Sequence, residues 1–343
     1  MKPSVVLVLA GFVSGVLLVG CSSAPLAAPT ATTAASATTA PTSLTVSYSE
    51  LTPINMALWI ADDQGYFKSN GLDVQMHYLE SSLGVSALLA GDEQFASMGG
   101  SETLAAVLNG ADLEALASFS PVYPYKLEVA AGINSAADLK GKKLGISRFG
   151  SSSDSATRAA LRELGLNADT DVTLVQVGSL ADRTAALLNG SLDGAVDGLP
   201  DTLILEAHGL HPLVDLAAEH LPAVNNLLIT RKSWAVAHRS ETQAYVDAIV
   251  QGIARAKADK ALALQLMQKY LQDRSGDATQ MSAAYDYDIG EVMRIPPVVE
   301  PSQFADAKAQ LAASTPAASD FDVQSIIDNS FVNDAIARGL GGK

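Results

Sequence analysis

Hydrophobic positions along this chain follow two alternating rhythms. Short apolar runs rich in Val, Leu and Ile predict strands over Leu44–Ser49, Leu72–Leu79, Gln94–Met98 and Leu113–Phe119. A second series follows over Leu144–Ser147, Val172–Val177, Gly194–Asp197 and Leu213–Ala217. Helical stretches lie between most of them, several closed by a glycine at the stop position, namely Gly65, Gly91, Gly110, Gly165, Gly190 and Gly209. Strand alternating with helix predicts an α/β fold with mainly parallel, doubly wound sheets. After residue 227 the rhythm changes. Leu227–Thr230 reads as a last strand, and helices are predicted over Glu241–Lys257, Lys260–Gln272, Thr279–Tyr287, Pro301–Ala313 and Val323–Arg338.

At the other end an uncharged run from Val5 to Val19 follows Lys2, the only basic residue before it. A membrane-spanning helix needs about 20 apolar residues, and this run is interrupted by Gly11, Ser14 and Gly15, so residues 1–20 read as a cleaved leader. The segment Leu18-Val19-Gly20-Cys21 resembles the bacterial lipobox, which implies cleavage after Gly20 and a diacylglyceryl anchor on Cys21. Of residues 22–43, 21 of 22 are Ala, Ser, Thr or Pro, and none is charged. Such a composition cannot bury a core, so residues 21–43 are expected to form a disordered tether. It would span about 25 Å on average and about 70 Å when stretched.

Composition narrows the remaining choices. With 343 residues the chain has room for about two domains and a substantial core. Lys and Arg number 22 against 37 Asp and Glu, a net charge of -15, which argues against nucleic acid because clustered cations are needed on a phosphate backbone. The single Cys excludes an intrachain disulfide.

The two strand series also match each other. Leu88-Leu89-Ala90-Gly91 with Ala96 and Gly99 aligns with Leu187-Leu188-Asn189-Gly190 with Ala195 and Gly198 at an offset of 99. Leu44, Val46 and Ser47 align with Leu144, Ile146 and Ser147, and Asp73-Val74 with Asp171-Val172. Two lobes of one design follow: lobe 1 from residues 44–120, lobe 2 from 121–226, and a mostly helical 227–343 that returns to lobe 1. The chain then crosses between lobes near Ser120–Lys126 and Ala217–Asn226, and two crossings make a hinge able to close on a ligand.

Several motifs point to a family. Met56-Ala57-Leu58-Trp59-Ile60-Ala61, Gln64-Gly65-Tyr66-Phe67 and Asn70-Gly71-Leu72-Asp73-Val74 resemble the opening of substrate-binding proteins of nitrate, sulfonate and taurine ABC transporters. Asp138-Leu139-Lys140-Gly141-Lys142-Lys143-Leu144-Gly145-Ile146-Ser147 is similar to the start of that family's second lobe. Ala185-Ala186-Leu187-Leu188-Asn189-Gly190 with Asp193 and Ala195 is similar to a later strand. The group also includes binders of thiamine-precursor pyrimidines. The resemblance implies a type II periplasmic-binding-protein fold. It further implies capture of a small polar molecule, sulfonate or taurine-like or a nitrogen heterocycle, and its delivery to the transmembrane subunits of an ABC permease, and with the leader and lipobox the protein is expected to be exported, lipid-anchored and monomeric. A lipid-anchored sensing module not coupled to transport is the alternative, and a thiamine-pyrimidine synthase-like enzyme a more distant one.

In open α/β sheets ligands lie beyond the carboxyl ends of strands, where helix N-termini carry unpaired N–H groups. That rule selects Ser49, Ser81, Ser82, Gly100, Ser101, Phe119, Arg148, Ser151, Ser152, Ser153 and Asp197 as candidate ligand contacts. One serine of Ser151-Ser152-Ser153 suffices as a helix cap, leaving the others free. The resemblance adds Asn55, and Tyr48, Tyr123, Tyr125 and Phe149 border the expected cleft. Arg148 is the one cation among the strand-end positions, and Asp197 could face it or a ligand N–H, which makes the expected site amphoteric. No cofactor or metal is expected. Cys21 is used by the anchor, Gly209 and Pro212 break any helix aligning His208 with His211, and no nucleophile elbow, phosphate loop or paired-Cys zinc motif is present, so the chain is read as a non-enzyme.

Overall fold

The structure, a computed structural model, describes residues 40–79, 81–272 and 277–342, without the side chains of Ser81 and Ser82. The expected leader, Cys21 and the expected tether up to Thr39 lie outside the described residues. The first strand, β1 (Thr42–Tyr48), begins inside the segment expected to be tether, because Thr42 and Ser43 pair with Leu72 and Asp73.

Ten strands form two five-stranded sheets among the described residues. The first contains β1, β2 (Leu72–Tyr78), β3 (Phe95–Met98), β4 (Leu113–Val122) and β10 (Pro222–Arg231) in the order β2-β1-β3-β10-β4. The second contains β5 (Lys126–Val129), β6 (Lys143–Ile146), β7 (Thr173–Gln176), β8 (Gly194–Asp197) and β9 (His211–Asp215) in the order β7-β6-β8-β5-β9. Each sheet has three parallel strands followed by one antiparallel strand, β10 or β5, and then an edge strand. The strands matched by the sequence offset, β1 with β6, β2 with β7 and β3 with β8, occupy equivalent places in the two sheets. Gly91 and Gly190 are equivalent too. Each takes a left-handed conformation, φ 86° and 74°, that ends its helix and lets the chain turn into the next strand.

The sheets are joined where β4 passes into β5 and where β9 passes into β10. β4 and β10 run further into these crossings than the hydrophobic pattern predicts, pairing from Leu113 with Arg231 to Val122 with Pro222 through several register shifts. β5 was not predicted as a strand. Its sequence, Lys-Leu-Glu-Val, places a carboxylate at a central position, yet both neighbours, β8 and β9, pair with it and bury Glu128 completely.

The C-terminal helices return to the first sheet. Tyr245, Val246, Ile249, Val250 and Ile253 of the Arg239–Ala258 helix share a core with Val46, Ile54, Leu58, Trp59 and Phe67, and Phe331 and Val332 close it. Tyr245 stacks between Phe67 and Phe95, with ring centroids 5.1 and 4.1 Å away. The second lobe has its own core of Leu127, Val129, Leu144, Ala159, Ala160, Leu161 and Val196. Two predicted helices change form. The helix predicted over Thr279–Tyr287 runs from Ala278 to Tyr285 and continues as wider π-type turns over Asp286–Val292. The stretch Val323–Arg338 divides into a short 3-10 turn, Val323–Ile326, and a helix, Ser330–Ala337. Between them Ile327 bridges to Ala115, and the Asp328 N–H donates to the Ala115 carbonyl, so a tertiary bond replaces the helical one.

Candidate functional site

The carboxyl ends of β1, β2, β3 and of β6, β7 face one another across a cavity of about 310 Å³. Ser49, Glu50 and Leu51 follow β1, Tyr78 ends β2, and Gly99 and Glu102 come from the loop and helix after β3. From the other side come Ser147 and Arg148 after β6, Ser152 and Ser153 in the next helix, and Gly178 to Ala181 after β7. Arg183, on the first turn of the helix Leu180–Leu188, and Tyr125, in the first crossing, complete the ionic and aromatic wall.

Local sequence explains how these groups are held. Ser151 caps the helix Ser152–Glu163, accepting from the Asp154 N–H, while its hydroxyl donates to the Arg148 carbonyl at 2.7 Å. Ser153 accepts from the Ser147 N–H at 2.9 Å, tying β6 to the helix. Of the three consecutive serines only Ser152 reaches across, donating to Glu102 Oε2 at 3.1 Å. The expectation that one serine would cap and the others stay free is therefore corrected: two of the three are used inside the loop. On the β7 side, Ser179 and Asp182 form a reciprocal capping box that places Arg183 beneath the cavity. Arg183 is almost fully buried, and its Nε and Nη1 donate to the carbonyls of Val196 and Gly178 at 3.2 and 3.3 Å.

The charged groups show why the site is unusual. Glu50 accepts from the Tyr125 hydroxyl at 2.5 Å through Oε1, while its Oε2 is sealed from solvent with no hydrogen-bond partner. Burial raises the Glu50 pKa, Glu102 adds to the rise, and Tyr125 and Arg183 oppose it. Burial likewise raises Glu102, against the Ser152 hydroxyl and Arg148. Among the described residues neither carboxylate forms an ion pair within 4.0 Å, and the Arg148 side chain makes no hydrogen bond.

The sequence-selected residues fall into three groups. Ser49, Arg148, Ser152 and Ser153 line the cavity. Ser151 lines an adjoining groove with Phe149 and Arg148, and the side chains of Ser81 and Ser82 lie outside the described residues, although their backbone starts the helix Ser81–Ala90. The others do not line the cavity among the described residues, and each has a packing partner instead. Asn55 is fully buried, donates to the Glu50 carbonyl at 2.7 Å and accepts from Ser97 at 2.8 Å, so it braces the Glu50 loop. A Cβ on Gly100 would stand 2.4 Å from Val224, so its smallness admits β10. Ser101 pairs with Ser155 at 3.0 Å between the lobes, and Phe119 is core. Tyr123 is buried with its hydroxyl on Asp306 at 3.5 Å. Asp197 is fully buried below the floor, accepting from Thr184 at 2.8 Å and from the Gly198 N–H at 3.0 Å. Burial pushes its pKa up and the neighbouring Arg183, not Arg148, opposes the rise.

Glu50, Glu102 and Arg183 escaped the sequence reading because it favoured small residues at strand ends. The Ser179-x-x-Asp182 capping box was the available signal for Arg183, and Glu50 directly follows the selected Ser49. Among the described residues no group of three or more His, Cys, Asp or Glu is placed to hold a metal ion.

Comparison with known proteins gives the fold and family. The periplasmic aliphatic sulphonate binding protein SsuA of Escherichia coli is 19% identical with a TM-score of 0.67, over 85% of this chain and 99% of that one. The periplasmic nitrate-binding protein NrtA of Synechocystis PCC 6803 is 14% identical with a TM-score of 0.69, over 87% and 89%. The desulfurization enzyme DSZB is 19% identical with a TM-score of 0.62, over 86% and 99%. No curated protein sequence matches the chain. These likenesses establish a two-lobed type II periplasmic-binding-protein fold. A sequence profile described as NMT1/THI5 like matches residues 53–263, and with more than half of its length covered the chain belongs to the NMT1/THI5-like family.

Proposed function

We propose that this protein is an extracytoplasmic substrate-binding lipoprotein of an ABC importer, anchored through Cys21, that captures a small polar molecule by lobe closure and delivers it to a membrane permease. The observation carrying this reading is the cavity of about 310 Å³ between the carboxyl ends of two equivalent sheets, near the lower end of small-molecule pockets. Contacts reach across from lobe to lobe at Ser152–Glu102, Ser101–Ser155 and Arg162–Asp306, which suits a closed clamp. The sulphonate- and nitrate-binding relatives named above support a cargo of this size.

The test has two arms. The purified full chain should gain melting temperature with one member of a panel of sulfonates, nitrate, amino acids and nitrogen heterocycles, because a ligand bound only to the folded state stabilises it. In cells, Cys21→Ser should move the protein from the membrane fraction to the soluble exported fraction, and deletion of the chain should abolish uptake of the same molecule. A protein that binds nothing across the panel and carries nothing on purification overturns the reading.

A further inference from the structure

We infer that the two lobes are held closed by a latch outside the cargo cavity, in which Asp306 and Gln310 of the first lobe grip Asp154, Ser155 and Arg162 of the second. This rests on the lobe-closure reading proposed above and adds to it a device that works without cargo.

Two helices build the latch. The helix Ala305–Ala312 belongs to the first lobe, where Ala307 and the preceding Phe304 are buried in a core with Leu104, Leu113, Leu227 and Ile229. Opposite it lies the helix Ser152–Glu163, whose Ala156, Ala159, Ala160 and Leu161 fill the core of the second lobe. Asp306 and Gln310 are four residues apart, so they share one face of their helix. Arg162 Nη2 stands 2.9 Å from both carboxylate oxygens of Asp306. The Gln310 amide is used at both ends. Its Nε2 donates to Asp154 Oδ2 at 2.5 Å, and its Oε1 accepts from the Ser155 hydroxyl. With its own proton committed, Ser155 accepts from the Ser101 hydroxyl of the first lobe at 3.0 Å. Asp154 is fixed in place for this contact, because the Gly150 N–H and Arg158 Nε each donate to it at 2.8 Å from within the second lobe.

Asp154, Ser155, Arg162, Asp306 and Gln310 do not line the cavity, whereas Ser152 and Ser153, in the same helical turn as Asp154 and Ser155, do. Cargo can favour closure only through contacts it makes better in the closed form, but the latch adds the same closing tendency whether the cavity is filled or empty. Closed molecules therefore predominate before cargo arrives, cargo enters during openings, and its apparent affinity is scaled by the open fraction. The cavity selects what is held, and the latch sets how long. A hydrogen bond to a fixed carboxylate changes the closed-to-open ratio about ten-fold, while an ion pair whose arginine side chain is 54% exposed changes it about two- to five-fold. Gln310 is thus the principal grip and Arg162 the weaker one.

Nitroxides on Leu89→Cys and Leu188→Cys, exposed positions at equivalent places in the two lobes, report lobe separation by double electron–electron resonance in the full chain carrying Cys21→Ser. After dialysis from urea to strip co-purified molecules, this protein should show one dominant distance. Gln310→Ala combined with Arg162→Gln should add a second population, and Gln310→Glu, which sets a carboxylate against Asp154, should do so through one residue. Arg162→Asp should also open the lobes, and adding Asp306→Arg should restore the single distance, a rescue that a merely structural role would not give. Melting temperatures close to wild type establish that each variant is folded. Distance distributions that are the same in wild type and in both Gln310 variants, or a paired reversal as open as Arg162→Asp alone, overturn the inference. Cargo takes no part in the measurement, so that result leaves capture intact, and a silent ligand panel leaves the latch intact.

Discussion

Replacing Glu128 by Met should stabilise the protein at alkaline pH. Glu128 sits in the middle of β5, fully buried, and neither carboxylate oxygen has a hydrogen-bond partner. Burial, reinforced by Glu206 and opposed by Lys126, pushes its pKa from 4.5 up to about 8. Because the folded value lies above the unfolded one, the folded state binds more protons between them, and stability falls as pH rises from about 4.5 through 8. At about 1.4 kcal/mol per pKa unit the ceiling is about 5 kcal/mol. Relaxation of the strand and water entry reduce it to about 2 kcal/mol. In a protein of this size that corresponds to about 4 °C in Tm. The assay is thermal unfolding of wild type, Glu128→Met and Glu128→Gln from about pH 5 to 9. Glu114, whose pKa burial raises to about 7, makes wild type fall as well, so the informative quantity is the difference between proteins. Met should gain on wild type with increasing pH, and Gln should gain less because its amide remains unpaired. Difference curves that stay flat across the range would refute the reasoning.

Two further substitutions test the packing that positions the site. Arg183→Met leaves the buried Asp197 without its countercharge and removes the donors to the Val196 and Gly178 carbonyls, so urea unfolding should show a loss of about 3–5 kcal/mol. Adding Asp197→Asn should restore part of it, and full additivity of the two changes would show that the residues are uncoupled. Gly252→Ala places a Cβ 2.3 Å from the Ala57 carbonyl oxygen, forcing the Arg239–Ala258 helix off Met56–Asp63. It should lower the urea midpoint by the equivalent of about 1–3 kcal/mol. Ligand binding by the protein that remains folded should be unchanged, and a midpoint equal to wild type would contradict the close contact.

Much of the architecture is written in local patterns. Strand rhythm and an internal offset of 99 residues are repeated short-range signals, and they point to the equivalent sheets β2-β1-β3 and β7-β6-β8. Strand-end logic also led to Ser49, Arg148, Ser152 and Ser153, because the carboxyl ends of parallel strands open toward a cleft whatever the side chains are. It failed where a residue serves a neighbour brought near only by folding. Ser101 meets Ser155 and Gly100 yields space to Val224, and Asn55, selected by the resemblance rather than by strand ends, likewise braces a loop through Glu50 and Ser97. Their residue types suit a ligand equally well, so pattern cannot separate the two uses.

From the chain alone came what depends on neighbours in sequence: alternating elements, the glycine stops and a capping serine somewhere in Ser151-Ser152-Ser153. Tertiary structure decided what depends on distant residues. It made the Lys126–Val129 segment a central strand with a buried carboxylate, broke the last helix with the bridge from Ile327 to Ala115, and chose Arg183 over Arg148 as the neighbour of Asp197. It also set Glu50 and Glu102 against Arg148 and Arg183 around one cavity. Hydrophobic periodicity reports which way a side chain points from its own strand or helix, whereas charge pairing and burial depend on which other elements pack over it, and that information exists only once the lobes have come together.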